Sequence, residues 1–130
     1  MTSFFSHVDH EIFLLTTQYE GKESGMIATW VMPATLIPDH PRLVALLSPE
    51  NCTYQLLRKS RKFVVHLLAE DQYELVPLFG LRSSRDVNKF EGIKYSHTES
   101  GLPILPDVCA WAECQWVSEL DGGDRVIVLA

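Results

Sequence analysis

The apolar positions of this chain fall into short runs divided by polar or proline-bearing breaks, and runs of strand length outnumber helical ones. Residues 12–19 are rich in β-branched and aromatic side chains and predict a strand. Residues 20–25 supply a glycine-bounded turn, and 26–32 predict the returning arm of a hairpin. Residues 42–48 are almost continuously apolar, the pattern of a strand buried on both faces. Asn51 heads a predicted helix as its N-cap, with Tyr54, Leu56 and Leu57 marking one face. Arg58, Lys59, Arg61 and Lys62 crowd its C-terminal end, where cations complement the helix dipole.

Residues 63–68 predict a fourth strand and 71–79 a second helix, which faces inward through Leu75, Leu78 and Phe79 and is shortened or kinked by Pro77. A polar segment at 80–92 and a proline-rich turn region at 101–107 follow. Residues 109–117 predict a long strand, and Asp121-Gly122-Gly123-Asp124 a hairpin turn into a last strand at 125–129. No repeat, low-complexity tract or linker interrupts the chain, so residues 1–130 are expected to form one domain. Strands dominate and the helices do not alternate with them regularly. That predicts a mainly β fold, an antiparallel barrel with packed helices, over a doubly wound sheet. The apolar run that reaches Ala130 calls for a further strand or a partner chain along its edge.

Composition narrows the partners more than the fold. The chain has 11 basic and 17 acidic residues, a net charge of −6, which does not suggest a surface for nucleic acid. No apolar run approaches the length of a membrane span, and the N-terminus lacks the basic start and apolar core of a secretory signal. Cys52, Cys109 and Cys114 are an odd set without framework spacing, which predicts reduced thiols in the cytoplasm.

Candidate chemistry lies in three places. In Gly25-Met26-Ile27-Ala28-Thr29-Trp30, small and hydroxyl side chains stand where a core strand would carry Val or Leu. Such a strand either admits a flat ligand close to its backbone or faces a neighbour that needs small residues. Ser83, Ser84, Arg85 and Lys89 bring hydroxyls and cations into one short segment, either an oxyanion cradle or a solvated loop. Asn51 and Thr53 open the first helix, where exposed amides either receive an anion or are simply capped. His7, Asp9, His10 and Glu11 are not completed into a metal site by any second cluster, and no metal is expected. His66, inside an apolar strand, reads as a core histidine. Cys109 and Cys114 point to opposite strand faces, against a redox pair. No dinucleotide fingerprint, phosphate loop or nucleophile elbow occurs, and no catalytic side chain stands out.

In this order and spacing the pieces resemble the flavin reductase-like family with the FMN-binding split-barrel fold, and among its members the flavoredoxin-like branch. The resemblance rests on Thr16-Thr17, the stretch from Gly25 to Val31, Thr35 ahead of Pro38 and Pro41, and Asn51 with Thr53. It continues through residues 63–68, Gly101-Leu102-Pro103-Ile104-Leu105 and Trp111-Ala112-Glu113-Cys114. Most specific is Phe79-Gly80-Leu81-Arg82-Ser83-Ser84-Arg85-Asp86-Val87-Asn88-Lys89-Phe90. It implies an antiparallel, Greek-key type split β-barrel, a homodimer with FMN at the subunit interface, and NADH or NADPH as electron donor. Ala28, Thr29, Trp30 and Thr35 would lie beside the ring and ribityl chain. Thr53, Ser84, Arg85 and Lys89 would hold the phosphate, with Asn51 and Ser83 beside them. The implied activity is hydride transfer from NAD(P)H to flavin; the alternative is an FMN-binding electron carrier that serves a redox partner protein. The chain departs from the family string at Ser84, where Gly is commoner, and at Asn88, where Asp is. Relatives of this kind also continue beyond the position of Ala130.

Overall fold

The computed structural model describes residues 11–80 and 88–130. The expectations for Ser83, Ser84 and Arg85, and for His7 and His10, therefore lie outside the described residues. Two antiparallel four-stranded sheets make up most of the fold. The first is ordered β2-β1-β5-β8, from β1 (Phe13–Tyr19), β2 (Lys22–Ala28), β5 (Lys62–Leu67) and β8 (Ala110–Gln115). The second is ordered β3-β4-β10-β9, from β3 (Val31–Pro33), β4 (Leu43–Leu47), β9 (Ser118–Asp121) and β10 (Val126–Leu129). A short ribbon pairs β6 (Ser96–His97) with β7 (Pro103–Ile104). The fold is mainly β with helices α1 (Cys52–Ser60) and α2 (Leu75–Gly80), and the described strands pair as separate sheets, not as one closed barrel.

The first hairpin turns more tightly than the pattern predicts. Tyr19 pairs with Lys22, so only Glu20 and Gly21 form the turn. Both have positive φ, 51° and 81°, the twist that a two-residue hairpin loop needs. Gly25, paired with Thr16, is therefore a mid-strand residue and not a turn boundary, and an added Cβ there would sit 2.7 Å from the Phe79 ring. A second correction concerns the strand expected over 26–32. It breaks after Ala28, which pairs with Phe13 in the first sheet, and resumes at Val31, which pairs with Ala45 in the second. Thr29 and Trp30 form the corner between the sheets, and the Trp30 carbonyl accepts a hydrogen bond from the Leu46 N–H at 2.9 Å.

The long strand expected over 109–117 is cut in the same way. Trp116 N–H bonds to the Arg61 carbonyl beside the first sheet, and Val117 N–H to the Leu129 carbonyl in the second. The second helix starts at Leu75 and not at Asp71. A start at Asp71 would place Pro77 in the helix interior, where an N–H is required. A start at Leu75 puts Pro77 in the first turn, where N–H groups have no intrahelical partner.

α1 follows its expected limits. Asn51 Oδ1 accepts from the N–H groups of Thr53 (2.8 Å) and Tyr54 (3.3 Å), and Arg61 ends the helix in the left-handed region at φ 64°. Two apolar clusters divide the interior. Leu15, Met26, Ala28, Ala45, Leu57, Phe63 and Val128 belong to the larger one, and Leu14, Leu75, Phe79, Phe90 and Leu105 form the smaller. Leu14 and Leu15, adjacent on β1, fall into different clusters because successive side chains leave a strand on opposite faces. No helix of the described residues is long and apolar enough to cross a membrane.

Candidate functional site

β2 organises most of the residues that the sequence singles out. Ala28, at its end, is buried in the larger core cluster, so its small side chain meets the interior. The chain then turns outward. Thr29 is exposed, and the Trp30 ring is 39% exposed with the Arg125 guanidinium 5.5 Å from its centroid. Exposed Met32, Leu36 and Ile37 follow, and Thr35 Oγ1 accepts from the Ile37 N–H at 3.1 Å, fixing a local turn. The corner itself exposes Thr29 and a partly open aromatic ring supported by Arg125.

The expected phosphate donors stand deeper. Thr53 is 1% exposed, and its hydroxyl shares a 2.7 Å hydrogen bond with Ser24 of β2. Asn51 is occupied as the cap of α1. Lys89 is buried, and its Nζ donates to the carbonyls of Gly25 on β2 (2.9 Å) and Phe79 at the end of α2 (3.1 Å). Burial pushes the ammonium below the usual lysine range, while nearby Cys52 acts in the opposite direction. Thr53 and Lys89 thus meet β2 at consecutive residues. Thr29 and Trp30 form the corner where β2 gives way to β3, and Thr35 lies beyond the far end of β3.

His66 is fully buried. Nδ1 lies 2.9 Å from the Leu14 carbonyl and Nε2 3.1 Å from the Leu105 N–H, so the neutral ring donates through Nδ1 and accepts through Nε2. Burial lowers its pKa, outweighing the Leu14 bond. Cys109 lies just before β8 and is exposed, whereas Cys114 within β8 is buried. Among the described residues no group of three or more His, Cys, Asp or Glu side chains could hold a metal.

Two features escape a reading of the sequence. One is the Arg125–Trp30 contact. The other is a surface cluster in which the Tyr95 hydroxyl donates to Glu23 Oε1 and His97 Nε2 lies 2.9 Å from Glu23 Oε2. The bond to Glu23 holds the Tyr95 pKa up, at about 12. Neither carries a short-range signal, since each pair is joined only by the tertiary fold.

Comparison with known proteins settles the family. The model of the flavin reductase like domain matches residues 5–130. The chain belongs to that family. It is 33% identical over 111 residues to a flavin reductase from Pseudomonas putida, covering 85% of this chain and 62% of the relative. It is 28% identical over 120 residues to a high molecular weight rubredoxin from Moorella thermoacetica, covering 91% of this chain and 52% of the relative. The family member here thus spans less than two thirds of both relatives' lengths. Among solved structures, an FMN-binding protein from Thermus thermophilus shares the fold with a TM-score of 0.88 at 24% identity, covering 99% of this chain and 72% of the other.

Proposed function

We propose that this chain is an FMN-binding oxidoreductase of the flavin reductase type, with a split-barrel ancestry and NADH or NADPH as donor. The observation that carries the reading is the family match over residues 5–130. The exposed Thr29–Trp30 corner supports it. An aromatic face and a hydroxyl suit a flat, polar-edged ring, and Arg125 behind Trp30 restrains that face. In this reading Thr29, Trp30 and Thr35 line the ring and ribityl side. Ser83, Ser84 and Arg85 neutralise the phosphate, backed by Asn51, Thr53 and Lys89, with Ala28 as the packed floor. FMN, when bound, supplies the hydride-accepting and electron-donating chemistry, and the protein contributes orientation and electrostatics.

A homodimer follows from the same reading. Trp111 on β8 and Leu120 on β9 are exposed apolar side chains on the outer strands of the two sheets, with Val117 between those strands. A second copy would cover these edges. The three free cysteines suit a reducing cytoplasm.

The test is direct. Purified protein with FMN is expected to shift the flavin absorbance band and quench its fluorescence, then oxidise NADH or NADPH in steady state. Unaltered flavin spectra at excess protein would remove the proposal. Similarity to a rubredoxin favours a second reading, an electron carrier serving a redox partner protein. Bound FMN that is reduced by a protein donor but not by NAD(P)H selects that reading.

A further inference from the structure

The hairpin between β9 and β10 brings a cation to the open corner by main-chain geometry. The Gly122 N–H donates to the Arg125 carbonyl at 2.8 Å, and the Gly123 N–H, at a residue with φ 101°, donates to Asp121 Oδ1 at 2.9 Å. Val126, the next residue, pairs with Leu47 of β4. Trp30 is registered on the same strand, its carbonyl accepting from the Leu46 N–H. Neighbouring residues of β4 thus fix the two backbones that carry the guanidinium and the indole. The 5.5 Å contact between them follows from that register.

Arg125 is not cancelled by its neighbour. The Asp124 carboxylate comes within 3.8 Å of Nη1, but that side chain is 87% exposed against 35% for Arg125. Water therefore screens the carboxylate more than it screens the guanidinium, which has the indole against it in place of solvent. Nη1 also donates to the Asp124 carbonyl at 3.1 Å, which holds the side chain in place. The corner is left with a net positive charge beside the Trp30 ring.

The hydride that NADH or NADPH gives up carries two electrons and a proton. Flavin that accepts it gains one negative charge, and the donor leaves as the oxidised nicotinamide. A protein charge close to the ring is one of the means by which a protein tunes such a cofactor. We propose that Arg125, seated on Trp30, favours reduced over oxidised FMN at the Thr29–Trp30 corner through its positive charge. The inference rests on the FMN reading above and names a residue that this reading leaves without a chemical role. Arginine suits the place because a guanidinium lies flat on an indole, whereas a lysine ammonium is a mobile, strongly hydrated point charge.

The readout is the two-electron potential of FMN bound to the purified protein, from anaerobic dithionite titration against a reference dye. Relative to free FMN, it reports the ratio of affinities for reduced and oxidised flavin. Arg125→Gln is expected to lower that ratio about tenfold, a potential about 30 mV lower. Arg125→Lys keeps the charge and is expected to stay within about threefold of wild type. Asp124→Asn, at an exposed position, removes the opposing carboxylate and is expected to raise the ratio by about twofold. An unchanged ratio in Arg125→Gln, an equal fall in Arg125→Lys, or a fall in Asp124→Asn would each overturn the proposal. The FMN reading survives those results, because flavin is bound in every variant measured. Flavin spectra that excess wild-type protein leaves unaltered would remove the FMN reading and this inference together.

Discussion

His66 has no solvent contact, and its two ring nitrogens face main-chain groups of opposite kind, a carbonyl and an N–H. Only the neutral ring satisfies both, since a second ring proton would point at the Leu105 N–H. The folded-state pKa is accordingly depressed below the ordinary value of 6.5. The unfolded chain therefore binds a proton that the folded one refuses, and folding stability is full above pH 6.5 and falls as pH drops below it. Thermal unfolding at pH 5, 6 and 7.5 is expected to show this loss, and His66→Gln should make the slope shallower. Equal stability at pH 5 and 7.5 would contradict the assignment. That His66 is a core residue was legible in Phe63-Val64-Val65-His66-Leu67-Leu68, because its neighbours are all apolar. Its partners were not, since Leu14 and Leu105 come from distant parts of the chain. The same gap separates Thr53 from Ser24 and Lys89 from Gly25: the residue types suggested chemistry, but tertiary contacts decided what the atoms face.

The elements were legible wherever the signal was local. Asn51 as a cap, the apolar run of β4 and the glycines before β10 each specify their structure within a few residues. What was hidden is the pair of corners at Thr29–Trp30 and Trp116–Val117. Neither contains Gly or Pro, so nothing local in the sequence marks the place where the chain leaves one sheet for the other. Gly25 was misplaced for a related reason. It marks a close approach, not a turn, and the side chain that approaches it is Phe79 of α2. Gly25→Ala is therefore expected to overpack the β2–α2 contact and cost about 1–3 kcal/mol, measured by urea unfolding. Gly21→Ala makes the informative comparison. A Cβ there meets nothing within 4 Å, but φ is +81°, so any loss comes from backbone strain alone. A Gly25→Ala protein as stable as wild type would mean that α2 does not hold Phe79 against β2.

At the scale of the whole molecule, the two sheets are joined at two corners, and both carry a tryptophan beneath an arginine. Arg61 lies 5.2 Å from the Trp116 ring and Arg125 5.5 Å from the Trp30 ring. The corners differ in what lies outside them. Trp116 is buried and belongs to the larger core cluster, with Tyr54 6.3 Å away; Trp30 stays partly open to solvent. One architectural device is thus closed by packing at one corner and left open at the other, and the open corner is where the proposed flavin ring would lie. The difference sets opposite expectations for one kind of substitution. Trp116→Ala removes a core ring and is expected to cost about 3–5 kcal/mol of stability. Trp30→Ala removes a partly exposed ring whose contact with Arg125 is worth about 0.5–1 kcal/mol. Its larger effect is expected on FMN, an affinity loss of about tenfold, equivalent to about 1.4 kcal/mol. Urea unfolding and fluorescence titration with FMN, run on both variants, read the two quantities separately. If Trp30→Ala binds FMN as wild type does, the open corner is not the ring site, and the exposed apolar side chains of Met32, Leu36 and Ile37 need another occupant.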